Sequence, residues 1–293
     1  MRKTKAEIII VDAYGVFNFG QGISPNAIAT FKQWLQEGKK VYVLSNTTAL
    51  NEGAIKSYAK KGVIKGVHYT DMMTSGQYAG EDIQAGNLPV NGKNYYVFGT
   101  ANFKSTNPVP AIFEGSEYKV VENIADADFI YCGIPQLKNE KGEVYDTTEA
   151  EDFREMVEEL AQSGLPMVCA NPDKTANEGG RFVVRQGTIA EMYENFGGKV
   201  ILYGKPDRRI FDNLIERFGL SEIDRLKMMM IGDTLRTDIK GASAAGIPSV
   251  LVLEGGVSEM EMQRRDMTLE EYIMAEGVEP TLIWKRVCIE PLF

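Results

Sequence analysis

The sequence predicts a doubly wound α/β fold: a Rossmann-like parallel sheet with a second α/β domain inserted into it. Three observations carry that prediction. Short β-branched and apolar runs without polar alternation read as strands buried on both faces. Helical patterns separate these runs at both ends of the chain, an order that calls for crossover connections and parallel pairing. Asp12, Ser45, Lys205 and Asp233 each stand at or just past the C-terminal end of such a run, the edge where ligands bind in open α/β sheets.

In chain order, residues 7–11 (EIIIV) form the first expected strand. Ser24-Pro25 opens a helix, with Ser as N-cap and Pro at the first helical position; Ala27, Ile28, Phe31, Trp34 and Leu35 recur on one face and Gly38 ends it. A second strand is expected over 40–44, a polar turn over Ser45-Asn46-Thr47-Thr48, and a helix over 51–61. The rhythm returns toward the C-terminus: strand 199–203, helix 207–218, strand 227–231, helix 237–245 and strand 249–253. The middle carries strands at 95–98, 129–132, 167–170 and 181–184, with an acidic helix over 148–162 whose glutamates read as a solvated face. The expected organisation is a discontinuous core of residues 1–78 and 198–293, with 79–197 inserted as a separate domain.

Composition narrows the function. The length of 293 residues suits two modest domains, and 44% hydrophobic with 25% charged residues is ordinary for a folded chain. A net charge of -9 argues against nucleic acid, which is held mainly by Lys and Arg. No segment approaches the ~18 apolar residues of a membrane span. The basic opening MRKTK leads into an apolar run cut by Glu7 and Asp12, too short for a signal peptide. Cys132, Cys169 and Cys288 are odd in number and unpatterned, which suggests reduced, buried thiols and a cytoplasmic home. A homodimer is compatible with all of this. The single histidine, His68, lies in an expected turn and excludes any site that needs two imidazoles. Met228-Met229-Met230 reads as strand core. Chemistry therefore falls to carboxylates, a lysine and a metal.

The four strand-end groups make a coherent set. The Asp12 carboxylate suits nucleophilic attack on phosphorus, which splits one hard displacement into two through an aspartyl-phosphate. Mg²⁺ prefers oxygen ligands and keeps several waters, so Asp12, Asp233 and one backbone carbonyl suit it. Lys205 offers a point charge to nucleophile and phosphoryl oxygens alike, and Ser45 with neighbouring backbone N–H groups would bind those oxygens. Asp238 would orient Lys205 or a metal-bound water, or else cap the following helix.

These groups, in order, resemble the four motifs of the haloacid dehalogenase (HAD) superfamily. Ile231-Gly232-Asp233-Thr234-Leu235-Arg236-Thr237-Asp238 is the most specific element, and Tyr203-Gly204-Lys205-Pro206-Asp207 agrees with the lysine motif. The order is most similar to the class IIA phosphatases, sugar-phosphate and pyridoxal-phosphate phosphatases among them. Asn171-Pro172-Asp173 agrees with a loop of their cap domain. The resemblance spans nearly the whole chain. It implies a HAD core, a cap that selects substrate, Mg²⁺, and a small phosphorylated metabolite as substrate. Asn46 joins Ser45 and Lys205 as a phosphate-binding candidate; Asn171, Asp173 and Arg181 are candidates to face the substrate.

Tyr14 departs from the pattern. Where the phosphatases of this superfamily carry an aspartate, two residues beyond the nucleophile, this chain has a tyrosine. The resemblance leaves the Tyr14 backbone carbonyl available to the metal but removes the acid/base carboxyl, whose contribution is typically 10²–10⁴-fold. A weakened phosphatase is therefore expected, confined to phosphates whose leaving groups depart with little help; a flat dependence on leaving-group pKa would instead point to another proton donor, with Asp173 the first candidate. Asp12-Ala13-Tyr14-Gly15 also resembles the first motif of the L-2-haloacid dehalogenases. Against a dehalogenase stand the short interval from Asp12 to Ser45, which leaves no room for their cap, and the Asp233/Asp238 pair. A catalytically impaired binding or regulatory protein on the same scaffold is the other alternative.

Overall fold

A computed structural model describes residues 6–20, 22–102, 107–178 and 180–287. The basic opening and Cys288 lie outside the described residues. Two parallel sheets organise the rest. The first has six strands in the order Leu282–Trp284, Ser249–Val252, Met228–Gly232, Ile8–Val11, Lys40–Ser45, Asp71–Thr74. Ile8–Val11 pairs in parallel with Met228–Gly232 on one side and Lys40–Ser45 on the other. From this central strand the early chain winds one way and the late chain the other, so the switch of direction falls between Val11 and Ile231. The crevice for a ligand opens there, at the C-terminal ends of the strands.

Both faces of this sheet are covered, which explains its uninterrupted apolar strands. Ile9, Val11, Phe31, Val41 and Val43 pack on one side; Ile10, Tyr42, Leu44, Phe211 and Met230 pack on the other. The helix Pro25–Gln36 begins as its sequence dictates, with Ser24 Oγ accepting from the Ala27 N–H at 3.2 Å. Met228 and Met230 are buried strand residues. His68 sits at a turn, where its Nδ1 accepts from the Ile64 N–H.

The second sheet has five strands in the order Val200–Leu202, Met167–Cys169, Phe129–Cys132, Asn94–Phe98, Lys119–Val121. It has its own apolar layers: Tyr95, Phe113, Phe129 and Tyr131 on one face, and Ile130, Phe153, Val157 and Tyr193 on the other. Cys132 and Cys169 are free and buried. One element differs from the sequence reading: the strand expected at 199–203 was placed with the first core, yet Val200–Leu202 pairs with Met167–Cys169 in the second sheet. A β-branched run flanked by helices looks the same in either sheet, so periodicity could not choose between them. The chain returns to the first core only through Tyr203-Gly204-Lys205.

The acidic stretch begins as a 3-10 turn, Ala150–Phe153, and continues as the helix Arg154–Gln162. The segment after Asp233 begins as a π-helical turn, Leu235–Ile239, before the helix Lys240–Ala244. A hairpin, Thr175–Glu178 with Arg181–Val184, projects from the second sheet, and the helix Gln186–Asn195 follows it. Among the described residues no helix is long and apolar enough to cross a membrane.

Gly187, in the first turn of that helix, passes so close to the 171–173 loop that a Cβ would sit 2.0 Å from the Pro172 carbonyl oxygen. Gly187→Ala is expected to push this loop away and cost about 1–3 kcal/mol, the usual range for overpacking. Denaturant unfolding would measure it; unchanged stability would mean that the loop does not lean on this helix.

Candidate active site

Lys205 is the centre of the site. The chain leaves the second sheet, turns at Gly204, and runs the Lys205 side chain beneath the end of the first sheet, where it is 1% exposed. Its ammonium donates to Asp12 Oδ1 at 2.5 Å, Asp238 Oδ1 at 2.7 Å and the Leu44 carbonyl at 2.9 Å. All three N–H donors are thereby used. Leu44 belongs to the strand that ends in Ser45, so one cation ties together three loops that follow three different strands.

Asp12 directly follows the central strand, its N–H donating to the Ile231 carbonyl at 2.8 Å. Asp233 follows the neighbouring strand. Its Oδ2 accepts from the Val257 N–H at 2.6 Å and its Oδ1 from the Thr234 hydroxyl at 3.1 Å. Asp238 is brought back by the π-helical turn, and its Oδ2 accepts from the N–H groups of both Asp233 and Thr234 at 3.1 Å. Carboxylate oxygens of Asp12, Asp233 and Asp238 lie within 4.8 Å of one another. Such crowding needs small neighbours. At Gly15, with φ +76°, a Cβ would fall 2.0 Å from Asp233 Oδ2, and at Gly232 it would fall 2.2 Å from the Asp238 side chain.

The electrostatics record the crowding. Burial raises the Asp12 carboxyl well above its ordinary range; Lys205 opposes that rise, while Asp238, Asp233 and Asp173 reinforce it. Asp233 is pushed up to about 7, first by burial and then by Asp238. Burial would lower Lys205, but Asp12, Asp238 and Asp173 outweigh it and hold the ammonium above its usual value. One ammonium thus faces four carboxylates in a buried space. A hard divalent cation fits this donor set, because it supplies the missing positive charge and prefers oxygen ligands. Asp12 and Asp233 are the carboxylates placed to hold it: Asp12 gives Oδ1 to Lys205, and Asp233 meets only neutral donors, whereas Asp238 already carries the Lys205 ammonium and two backbone N–H groups.

Asn46 joins the site to the second unit. Its Oδ1 accepts from the Lys205 N–H at 2.8 Å, and its Nδ2 donates to the Lys205 carbonyl and to Asp173 Oδ1, both at 2.9 Å. Asn171 shapes the same loop, with Oδ1 accepting from the Asp173 N–H at 3.0 Å and Nδ2 donating to Gln186 Oε1 at 3.2 Å. A cavity of about 590 Å³ lies between the two units; Asp12, Tyr14, Asn46, Asn171, Asp173 and Asp233 all line it. Ser45 is 4% exposed at the end of its strand; its neighbours Asn46, Thr47 and Thr48, not Ser45 itself, form the cavity wall.

Arg181 requires correction. It is exposed at the turn of the hairpin and does not line the cavity. The hairpin cation that does is Arg185, four residues on, where the chain passes from hairpin to helix. It is 7% exposed, and its guanidinium donates to Asp146 Oδ1 at 2.9 Å and Glu178 Oε1 at 3.1 Å. Sequence reasoning passed over Arg185 and Glu178, because a strand-end arginine looks like a surface residue until its partners are known. It also passed over Val257; the Gly255-Gly256 pair ahead of that helix was the available signal for a backbone N–H turned toward a ligand. Tyr14 stands at the mouth with 38% of its surface exposed. Burial and the Glu178 charge raise its phenol above the ordinary value, partly offset by Asn18 and Arg185.

Two substitutions should shift stability in opposite directions in a chelator. Lys205→Ala leaves buried carboxylates uncompensated and is expected to cost about 3–5 kcal/mol. Asp12→Asn removes one charge from a like-charged cluster and is expected to leave the unfolding midpoint unchanged or raised. Denaturant melts of both variants would check the pair; a large loss in Asp12→Asn would mean that the Asp12–Lys205 contact outweighs the repulsion.

Comparison with known proteins agrees with this geometry. The haloacid dehalogenase-like hydrolase family model matches residues 9–107 and a HAD-hydrolase-like model matches residues 202–278, together more than half of the chain. Human glycerol-3-phosphate phosphatase is 33% identical over 98 residues, 33% of this chain but only 30% of that enzyme, so the match spans about a third of that relative's length. Among solved structures, a haloacid dehalogenase-like hydrolase from Brucella suis 1330 aligns with a TM-score of 0.77 at 24% identity over 97% of this chain and 96% of its own. A possible sugar phosphatase from Cytophaga hutchinsonii aligns with a TM-score of 0.74 at 25% identity over 98% and 95%. With both ends of the chain matched by models of one family, and Asp12, Lys205 and Asp233 converging from the segments so matched, the chain belongs to the haloacid dehalogenase-like hydrolases.

Proposed function

We propose that this chain is a Mg²⁺-dependent phosphatase that hydrolyses a small phosphorylated metabolite through an aspartyl-phosphate, with the second unit as the cap over its site. The observation that carries the proposal is the Asp12 carboxylate, held by Lys205 at 2.5 Å beside two further buried carboxylates and facing a cavity. Asp12 would attack phosphorus as the bond to the leaving oxygen breaks, and water would then release phosphate and free Asp12. Lys205 fixes the attacking oxygen and offers its charge to the phosphoryl group. Asp12, Asp233 and the Tyr14 backbone carbonyl would hold Mg²⁺, which when bound neutralises charge on the phosphoryl oxygens. Asn46 and Ser45 would support the phosphate end. The acid cluster favours this reading over a dehalogenase, whose halide leaves without such a charge. The free thiols of Cys132 and Cys169 suit a cytoplasmic home.

Position 14 delivers no carboxyl. A phenol raised above its ordinary value is a poor proton receiver at neutral pH, so proton transfer by that route is lost. The walls narrow the substrate. Beyond the Asp12 cluster the lining is rich in carboxylates; its Arg185, Arg236 and Lys174 are each already paired with one, and the fourth cation, Lys240, is exposed. A second anionic group on the substrate would find these three already engaged, with only the exposed Lys240 left to meet it. On this charge balance a neutral polyol or sugar phosphate suits the cavity better than a phosphorylated carboxylic acid, although relatives named for both kinds of substrate, glycerol-3-phosphate and phosphoglycolate phosphatases, match this chain.

Purified protein should release phosphate from glycerol phosphate only with Mg²⁺, and a chelator should stop it. Asp12→Asn should abolish release while the protein stays folded. Phosphoglycolate should be cleaved at least ten-fold less efficiently than glycerol phosphate, measured as kcat/KM; the reverse order would refute the charge reading of the cavity. No release from any phosphate ester, with a ligand nevertheless raising the melting temperature, would favour a binding protein instead.

A further inference from the structure

Position 14 leaves a proton unaccounted for, and the cavity narrows its source. Asp12, Asp233 and Asp238 are committed to Lys205 and the cation site. Of the other carboxylates lining the cavity, four are ion-paired: Glu178 with Arg185 at 3.1 Å, Glu191 with Lys174 at 2.5 Å, Glu261 with Arg264 at 3.2 Å and Glu276 with Arg236 at 2.6 Å. A cationic partner favours the carboxylate over the acid, so these are poor proton donors. Glu194 is exposed on its helix. Asp173 differs from all of them. Its side-chain partner is the neutral Asn46 amide, which donates to Oδ1 at 2.9 Å. That amide also donates to the Lys205 carbonyl, and the Lys205 ammonium holds Asp12, so two residues tie Asp173 to the attacking carboxylate.

We propose that Asp173, on the loop of the second unit, is the general acid and base of the hydrolysis, in the role that Tyr14 cannot fill. The inference rests on the phosphatase reading above. In the first half-reaction Asp12 Oδ forms a bond to phosphorus, the bond from phosphorus to the leaving oxygen breaks, and the Asp173 proton passes to that oxygen to give the free alcohol. In the second, the Asp173 carboxylate takes a proton from water as the water oxygen bonds to phosphorus. The bond from phosphorus to Asp12 breaks, phosphate departs, and both carboxyls return to their starting states. Burial supports the assignment by pushing Asp173 up to about 6, against the pull of Lys205 and the Asn46 hydrogen bond and with Asp238 adding to the rise. A group poised there can both give and receive a proton near neutral pH.

The experiment compares glycerol phosphate, whose leaving oxygen needs a proton, with 4-nitrophenyl phosphate, whose leaving group departs with little help. Asp173→Asn is expected to lower kcat/KM for glycerol phosphate by about 10²-fold or more, with a loss at least ten-fold smaller for the aryl ester. Tyr14→Asp in the Asp173→Asn background should recover much of the glycerol phosphate rate. Equal losses on both esters would make Asp173 a structural residue and overturn the proposal. A second variant avoids touching Asp173: Tyr14→Asp alone should raise glycerol phosphate turnover only a few-fold, because the role is already filled, and a gain near 10²-fold would overturn the proposal. Wild-type protein that cleaves the aryl ester but not glycerol phosphate would overturn it as well. Wild-type protein that releases phosphate from neither ester with Mg²⁺ would overturn the phosphatase reading, and this inference with it.

Discussion

A single buried ammonium holds the active end of this molecule together. Lys205 spends its three donors on Asp12, on Asp238 and on the carbonyl of Leu44, groups that follow or end three different strands of one sheet. Burying a charge is costly unless it is paired and fully hydrogen-bonded, and Lys205 meets both conditions. The carboxylates around it are less well provided for. They outnumber it, they repel one another, and their proximity is stable only because folding elsewhere forces them together. The site is thus a place where the fold spends stability, and a bound cation would recover part of it.

That constraint passes outward into the backbone. Crowded carboxylates leave no room for a Cβ at Gly15 or Gly232, and at Gly15 the backbone also adopts φ +76°, which favours glycine. Asp233 is steadied by the N–H that opens the helix Val257–Arg265, an arrangement that sets an anion against the positive end of a helix. Asp238 reaches back to the same cluster because the chain after Asp233 turns with π rather than α geometry. Thr234 O there accepts from the N–H groups of both Asp238 and Ile239. Short π segments of this kind often occur at functional sites.

What the sequence made legible follows from where its signals are local. Strand ends at Asp12, Ser45 and Asp233 are punctuated by polar residues after apolar runs, and the Ser24-Pro25 helix start is chemically explicit; these elements stand within a residue or two of expectation. Asp71–Thr74 was missed because Asp-Met-Met-Thr carries little β preference, and the helix after it because Ser75 to Gln84 holds two glycines. The strand Val200–Leu202 was found but given to the wrong sheet, since pairing partners are a long-range property that its own residues do not encode. Arg185 was missed for a related reason. Nothing within its neighbourhood in sequence announces that Asp146 and Glu178 will enclose it, whereas Arg181, on the same hairpin, looked equally eligible.

The division of labour between the two units follows from the same geometry. Asp12 lies on the first sheet and Asp173 on a loop of the second, and Asn46 bonds the Lys205 peptide from both sides while also holding Asp173. Nucleophile and proton donor would then sit on opposite walls of one cavity and act together only while those walls are apposed. An aspartate at position 14 would put both functions on one loop and make the chemistry indifferent to the second unit's position. With tyrosine there and Asp173 as the acid, recognition of the leaving group and its protonation would fall to the same structural element. A substrate whose leaving oxygen lay away from Asp173 would then be bound by Lys205 and its neighbours without being efficiently cleaved, which is a way of gaining selectivity in the reaction step rather than in binding.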